Sequence, residues 1–279
     1  MPLPDVDALS RETGRSEDDL VREVLQGRIL AEIFARRVRD EVILKGGLGM
    51  RAGFRSRRQT KDIDLHSGPE VPPARSQSLV RQAIRSALAD GLLDRSEWSE
   101  PKMTGTVQRW KVRGFRGETE VHLTVELSRR ATVSAAERRL VPYEGLGAGG
   151  VLVETLTDGA MAAAKVLAMT DLRREAPRDL YDLDLMIRAE VRPSPELLAR
   201  AGLERLVQAR EILSDRIEKL DFRAARDELL DYLPRDEAER FDAETWAAMQ
   251  ARTYLAVNEW LEEAIALRMS QERGTGMRA

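Results

Sequence analysis

The stretch LKGGLGMRAGFRSRRQTKDIDL, residues 44–65, limits what this chain can fold into more than any other part of its sequence. Residues 42–44 form a short apolar run that ends at Gly46-Gly47, and this pattern predicts a buried strand that turns sharply into a helix. In residues 62–65, which follow a basic loop, aspartates alternate with apolar side chains. That is the period of a strand with one apolar face, so the two carboxylates are predicted to share the opposite face.

The carboxylates and the glycines suit one kind of ligand, a metal-bound triphosphate. Side chains at positions i and i+2 of a strand project side by side, so Asp62 and Asp64 can bridge two magnesium ions about 3.5–4 Å apart. At the helix N-terminus formed by Gly46 and Gly47, backbone N–H groups can approach phosphate oxygens, and the helix dipole favours that charge. We therefore expect a two-metal Mg²⁺ site beside a nucleotide.

A cluster of basic side chains lies between the two motifs, where it could neutralise the triphosphate. Taken alone, an Asp-x-Asp pair is usually a solvated strand face, and a Gly-Gly pair is usually only a turn. Two neighbouring strand carboxylates repel each other without a cation nearby, so their occurrence beside this cluster favours the catalytic interpretation. The basic residues concerned are Arg51, Arg55, Arg57, Arg58 and Lys61.

A third carboxylate is expected on a neighbouring strand. In residues 120–127, EVHLTVEL, apolar and polar side chains alternate, so Glu126 shares a face with His122 and Thr124. If this strand pairs beside the aspartate strand, Glu126 is the candidate third metal ligand, with Glu120 as the fallback. The alternative is an ordinary exposed glutamate on an edge strand, which is equally common.

The first half of the chain combines helical and strand patterns. Ser16 and the acids after it predict a helix N-terminus, and apolar residues at helical spacing continue that helix to about Val38. One further helix and two strands are predicted after it. They span residues 74–89, 106–112 and 118–127, respectively.

The composition changes near Leu156, because alanine, leucine, glutamate and arginine then dominate and strand patterns almost vanish. A glycine-rich loop over residues 142–150 precedes this change and predicts two lobes, 1–153 and 154–279. The fold class is therefore α+β, a small mixed sheet flanked by helices and followed by a helical lobe. The last ten residues, 270–279, are expected to form a frayed tail. Helices are expected near residues 155–169, 177–189, 195–218, 222–231 and 236–267.

Composition excludes several kinds of site. The 279 residues include no cysteine and only two histidines, so cysteine-ligated zinc and thiolate catalysis are excluded, and metal ligands should be oxygens. The net charge of −3 gives no global positive field for nucleic acid. Because no run approaches the roughly 18 apolar residues of a membrane helix and the N-terminus lacks a secretory pattern, we expect a cytoplasmic protein without membrane contact.

Other polar residues have ordinary explanations beside functional ones. His66 and His122 could act as a base or a metal ligand, but phosphoryl transfer needs mostly positioning and charge neutralisation. We assign only His122 a supporting role. Four arginines near the predicted strand that carries Glu126 could follow an RNA backbone, although a solvated cluster is as common. They are Arg129, Arg130, Arg138 and Arg139.

Residues 44–65 resemble the signature of the AbiEii-type nucleotidyltransferase toxins, which include the MenT toxins and belong to the DNA polymerase β-like superfamily. That family carries Lys-Gly-Gly, an arginine, a serine or threonine, one further residue and Asp-x-Asp. This chain has threonine where many members have serine, and both offer a hydroxyl to a phosphate. The matching positions are Lys45, Gly46, Gly47, Arg58, Thr60, Lys61, Asp62 and Asp64.

A second family motif, a lysine followed by Arg-Asp-x-Tyr-Asp, is similar to Lys165 and residues 178–182, RDLYD. The resemblance implies that Lys165 contacts the nucleotide phosphates and that Asp182 assists catalysis. Each residue also has an ordinary explanation. Lys165 could extend from an apolar helix to water, and an aspartate at position 179, just after Pro177, favours a helix start whether or not it does chemistry.

The resemblance implies a polymerase β-like core in which lobe 1–153 is catalytic and lobe 154–279 contributes Lys165 and Asp182 to the site. Asp62, Asp64 and Glu126 would then hold Mg²⁺, and Glu126 would help to activate the acceptor hydroxyl. The nucleotide-binding residues implied are Lys45, Gly46, Gly47, Arg58, Thr60, Lys61 and Lys165.

The implied reaction is transfer of a nucleoside monophosphate from a nucleoside triphosphate (NTP) to an RNA, with the 3′ end of tRNA as the preferred acceptor. The protein would be the toxin of an AbiE-type toxin–antitoxin system, and a partner antitoxin would relieve its effect. Two alternatives stay open. One is an NTP-binding regulator or partner-binding module without turnover, and the other is transfer to a hydroxyl of a protein or small molecule.

Overall fold

The structure is a computed structural model, and it describes residues 5–35, 41–100, 106–129, 136–143, 149–172 and 177–276, with side chains up to residue 273. The chain divides into two compact units, Met1–Leu156 and Thr157–Ala279. The first unit is built on a β-sheet and the second is helical, so the predicted α+β fold class is confirmed. The predicted lobe boundary between residues 153 and 154 falls within the last strand of the sheet.

In the described part of the first unit, seven strands form one mixed sheet in the order β3-β4-β5-β2-β1-β7-β6. The strand β2 lies centrally, antiparallel to β1 and parallel to β5. This places the predicted aspartate strand directly beside the strand that carries Glu126. The strands are β1 (Ile43–Lys45), β2 (Asp62–His66), β3 (Arg95–Trp98), β4 (Val107–Arg116), β5 (Thr119–Ser128), β6 (Ala136–Val141) and β7 (Val151–Leu156).

Four helices accompany the sheet in the described residues of this unit. They are α1 (Val6–Thr13), α2 (Glu17–Phe34), α3 (Gly46–Phe54) and α4 (Pro73–Ala89). The predictions of α2, α3 and α4 are confirmed, because α2 begins after Ser16 and α3 begins at the glycine pair. The predicted end of α2 at Val38 lies outside the described residues.

The core of the first unit lies against one face of the sheet. On β4 the buried side chains of Trp110 and Val112 alternate with exposed basic ones, and together with α2 and α4 they form one apolar cluster. Each fully buried aliphatic side chain of such a cluster contributes about 1.5–3 kcal/mol relative to exposure. Burial of this face leaves the opposite face of β4 and β5 free to carry polar residues.

Two strands and one helix of the first unit were not predicted from the sequence pattern, namely β3, β6 and α1. The chain returns to the sheet after the glycine-rich loop, because β7 pairs in parallel with β1 and the Thr155 hydroxyl donates to the Leu44 carbonyl at 3.0 Å. Of the predicted loop over residues 142–150, residues 144–148 lie outside the described residues, and its two ends adjoin β6 and β7. The change of composition at Leu156 coincides with the end of the first unit.

The second unit packs its helices around a core of its own that includes Trp246 and Trp260. Two long predicted helices are interrupted, and at Gly202 a φ of 88° interrupts the first of them. The last helix continues to Gly276 rather than fraying from residue 270. The helices are α5 (Asp158–Met169), α6 (Pro177–Arg188), α7 (Pro195–Ala199), α8 (Leu203–Glu211), α9 (Leu213–Lys219), α10 (Phe222–Leu229), α11 (Arg235–Ala238) and α12 (Ala243–Gly276).

Within the described ranges, no helix has both the length and the apolar character needed to cross a membrane.

Candidate active site

The two predicted carboxylates lie on the polar face of β2. Ile63 and Leu65 are fully buried on the apolar side, so Asp62 and Asp64 point away from the core and are half-buried. The parallel pairing with β5 places Asp64 directly opposite Glu126. Because facing residues of paired strands project to the same side of the sheet, these three acidic side chains share one face.

The glycine turn lies against Asp64. Gly46 has a φ of 66°, and a Cβ atom built on it would lie 2.0 Å from Oδ2 of Asp64. No side chain larger than hydrogen fits there unless the carboxylate moves. Lys45 lies opposite Asp64 on the other side, across the β1–β2 pairing. The Asp64 carboxylate therefore occupies space that the missing side chain of Gly46 leaves open.

Gly47 and Thr60 form a second close contact beside the first. A Cβ atom on Gly47 would lie 2.9 Å from Cβ of Thr60. The Thr60 hydroxyl accepts a hydrogen bond from the backbone N–H of Asp62 at 3.3 Å, which fixes the start of β2. Buried Gln26 of α2 donates to the Thr60 carbonyl at 2.8 Å. Gln26 was not among the residues predicted from the sequence, where its signal is an amide between Leu25 and Gly27 in α2.

Glu126 is held by a partner that sequence analysis also missed. Arg109 lies directly opposite it on β4, and its Nε donates to the Glu126 carboxylate at 2.8 Å. The fallback residue Glu120 lies opposite Phe115 and bonds to Arg113 and, at 3.0 Å, to His122. The hydrogen bond from Arg113 lowers the pKa of the Glu120 carboxyl.

The donor chemistry of this face suits a hard divalent cation, because Asp62, Asp64 and Glu126 offer only carboxylate oxygens. The Asp64 carboxylate packs into the space beside Gly46, and this contact holds one of these donors in a fixed position. Across the residues that the structure describes, no three acidic or histidine side chains converge closely enough to hold an ion. Glu126 is instead bound to Arg109.

The basic residues between the motifs have different environments. Arg51 is buried and donates to Glu23 at 2.6 Å, so its guanidinium is engaged in an ion pair between α2 and α3. It does not lie where the sequence analysis expected it, among solvent-facing groups that could neutralise a triphosphate. Arg58 is also buried, and it donates to the Gln59 carbonyl at 3.1 Å. Arg55, Arg57 and Lys61 are exposed.

His66 lies two residues beyond Asp64 on the same face of β2, opposite Ser128. Its Nδ1 lies 3.4 Å from the Ser128 hydroxyl, and its buried Nε2 has no hydrogen-bond partner among the described residues. Burial and the nearby charge of Lys45 lower the pKa of His66 below its ordinary value of about 6.5, so the ring is neutral at pH 7. His122, by contrast, is exposed.

The second predicted motif forms an ion cluster within the second unit. Lys165 of α5 donates to Asp179 at 2.8 Å and to Asp182 at 2.6 Å, both on α6. Both aspartates are buried. Asp179 thus has a structural partner besides its position in the first turn of α6. Because a buried carboxylate is costly without a cation, Lys165 stabilises the packing of α5 on α6.

Comparisons with known proteins agree with these observations. A family model described as nucleotidyl transferase AbiEii toxin, type IV TA system, matches residues 28–265, and it confirms the resemblance found in the sequence. Two solved structures from Helicobacter pylori have a similar fold, each at 18% sequence identity. JHP933 has a TM-score of 0.50, with 94% of this chain and 98% of that chain covered. A putative nucleotidyltransferase has a TM-score of 0.57, with 89% and 98% covered. No curated protein sequence matches the chain.

Proposed function

We propose that this chain, which belongs to the AbiEii family of nucleotidyl transferase toxins of type IV toxin–antitoxin systems, transfers a nucleoside monophosphate from an NTP to the 3′ end of tRNA. Family membership establishes a nucleotidyltransferase toxin. The RNA acceptor, the dependence on Mg²⁺ and a cognate antitoxin protein are parts of the proposal.

One observation carries the assignment of the site. The strand register sets Glu126 opposite Asp64, and Gly46 leaves the space that the Asp64 carboxylate fills. A surface patch of acids has no need of a glycine at this contact. A catalytic site that holds a carboxylate beside a helix N-terminus does need a glycine there. With no side chain at this position, the backbone N–H groups of the helix stay accessible to phosphate oxygens.

The proposed reaction is a single displacement at the α-phosphorus of the NTP. The oxygen of the acceptor's terminal hydroxyl forms a bond to that phosphorus, and the bond from the phosphorus to the oxygen that bridges to the β-phosphate breaks. Pyrophosphate leaves with the electron pair, and the hydroxyl proton is released to water. Positioning and charge neutralisation account for most of the catalysis in such a step.

Each residue has a role in this proposal. Asp62, Asp64 and Glu126 would hold divalent ions, which when bound would neutralise phosphate charge and activate the hydroxyl. Backbone N–H groups at the start of α3 face the triphosphate, and Glu126 orients the acceptor hydroxyl. The exposed ammonium of Lys61 neutralises phosphate charge. Other residues proposed to bind the nucleotide are Lys45, Gly46, Gly47, Arg58, Thr60 and Lys165, with Asp182 assisting catalysis.

The direct test is transfer of label from each of four α-labelled NTPs to total tRNA in the presence of Mg²⁺. We expect labelled tRNA with the native protein, and a loss on the order of 100-fold or more in Asp62→Asn, because one anionic ligand becomes neutral. Asp231→Asn is the matched control, since Asp231 is exposed in the second unit. Equal labelling by Asp62→Asn would remove this residue from the site.

The same assay separates the alternatives. Label on a protein or on a small molecule, with none on RNA, would show that the acceptor is that molecule and not tRNA. Binding of NTP with Mg²⁺ but no transfer to any acceptor would indicate a regulatory module. Sequencing of the labelled RNA ends then identifies the nucleotide added and the position that receives it.

A further inference from the structure

The exposed face of β4 carries three basic side chains in a row, Arg109, Lys111 and Arg113, which we call the β4 basic strip. They alternate with side chains that face the core, so all three project to the solvent side of the sheet. Residues two apart on a strand are separated by about 6.8 Å. This separation is of the same order as that between successive phosphates of an extended single strand, which basic grooves follow.

The strip has a net positive charge after its local partners are considered. Arg95 extends it on β3, where Arg95 and Arg113 both lie over the Phe115 ring, at 4.5 and 5.0 Å. Among the described residues, Glu97 and Glu120 pair with Arg113, and Glu126 pairs with Arg109, so the four basic residues outnumber these acids by one. Lys111 is exposed, and its ammonium makes no hydrogen bond or ion pair with another described residue.

The strip runs directly to the proposed catalytic carboxylates. Arg109 lies opposite Glu126, Lys111 opposite Thr124 and Arg113 opposite His122, so the row extends along β5 away from the metal ligands. Glu126 in turn lies opposite Asp64. A polyanion lying along the strip would therefore bring its end to the carboxylates.

We propose that the β4 basic strip binds the phosphates of a single-stranded RNA end and directs the terminal hydroxyl of that RNA towards Glu126. This inference rests on the proposed function, because it identifies the surface that receives the acceptor. Arg109 lies at the junction, where it contacts both Glu126 and the path of the RNA. An acidic protein segment is a weaker match, since its charges have no fixed spacing along the chain.

The arginines that the sequence analysis considered for RNA contact are engaged elsewhere. Arg129 donates to the Val71 carbonyl at 2.6 Å, which ties β5 to the segment before α4. Arg138 donates to Glu154 at 2.6 Å and Arg139 donates to Glu137 at 2.6 Å. Arg130 lies outside the described residues. The Lys111 ammonium, which has no partner among the described residues, and the continuous register therefore favour β4.

The test measures binding without chemistry. Fluorescence anisotropy with a labelled single-stranded oligoribonucleotide, in chelator and without NTP, gives the Kd and its dependence on salt. Lys111→Gln and Arg113→Gln should each raise the Kd about fivefold at low salt and reduce the slope of log K against log salt by about 0.7. Arg81→Gln is the matched control. Arg81 lies on α4, which packs on the apolar side of the sheet, and it is ion-paired with Glu100.

Unchanged Kd and salt slope in both strip variants would overturn the proposal. The proposal would also be overturned if an acidic protein bound the two variants more weakly than the native protein while the oligoribonucleotide bound all three equally. RNA affinity and label transfer are separate measurements. Asp62→Asn should lose transfer but keep its RNA affinity, because the strip is unchanged in this variant. If the strip variants lose RNA affinity while no labelled RNA forms with the native protein, the strip is supported and the reaction is rejected.

Discussion

At the scale of single residues, Gly46 and Asp64 depend on each other. The positive φ of Gly46 begins α3, and its lack of a side chain leaves room for the Asp64 carboxylate 2.0 Å from where a Cβ would lie. The two requirements are distinct, since one concerns the backbone and the other concerns space. Gly14 has almost the same φ, 67°, but open space around it. The chain therefore contains an internal control for the backbone effect.

Gly46→Ala should reduce both stability and activity, whereas Gly14→Ala should reduce only stability. An alanine at positive φ costs about 1 kcal/mol in either position. At position 46 the new Cβ also displaces the Asp64 carboxylate, so transfer should fall on the order of 100-fold and Mn²⁺ affinity should fall with it. Urea unfolding, Mn²⁺ titration and the labelling assay measure these effects. Full activity of Gly46→Ala would contradict the proposal that the position of the Asp64 carboxylate beside Gly46 is needed for transfer.

At the scale of elements, the position of α3 depends on a buried ion cluster. Arg51 of α3 pairs with Glu23 of α2, and Arg15 pairs with the same carboxylate. The guanidinium of Arg51 also lies 5.8 Å from the centre of the Tyr143 ring. Removal of Arg51 would leave Arg15 as the partner of the buried Glu23 carboxylate, so its charge would be less fully compensated. The cluster therefore fixes the helix whose N-terminus is proposed to bind phosphate.

Arg51→Met should lower the free energy of unfolding by about 2 kcal/mol, because buried Glu23 then keeps only Arg15 as a charged partner among the described residues. Arg55→Met, four residues along the same segment and exposed, should change it by less than about 0.5 kcal/mol. Urea denaturation gives both values. A variant of normal stability whose KM for NTP rises instead would return Arg51 to the phosphate-neutralising role.

At the scale of the whole molecule, each unit has its own core and its own charged cluster. The carboxylates belong to the first unit, and Lys165 with its two aspartates belongs to the second. A chain with two cores need not unfold in a single transition. Ligand binding then stabilises the transition of whichever unit holds the ligand.

A non-hydrolysable NTP with Mn²⁺, each at about 100 times its Kd, should stabilise the native protein by about 2.7 kcal/mol. Differential scanning calorimetry should show this as a higher Tm. In Asp62→Asn the increase should be largely lost, while Asp231→Asn should keep it. An undiminished increase in Asp62→Asn would mean that the nucleotide binds without the proposed carboxylates.

The sequence by itself determined the strand, glycine turn, helix and second strand between residues 42 and 66, and the face on which Asp62 and Asp64 project. These features follow from local rules, because strand alternation and the conformational freedom of glycine act over a few residues. The helical character after Leu156 follows from composition in the same way. For this reason α2, α3, α4, β1 and β2 agree with their predictions.

Only the tertiary structure decided which residues meet across the chain. The parallel pairing of β2 with β5 sets Glu126, and not Glu120, opposite Asp64, and the β4–β5 register gives Glu126 its partner Arg109. The same holds for β7 beside β1 and for Arg51 beside Glu23. The sequence around a charged residue is the same whether its side chain is solvated or ion-paired with a residue far along the chain. Sequence spacing therefore cannot distinguish a solvated side chain from a paired one. The fold decides between them, because it alone sets strand order and burial.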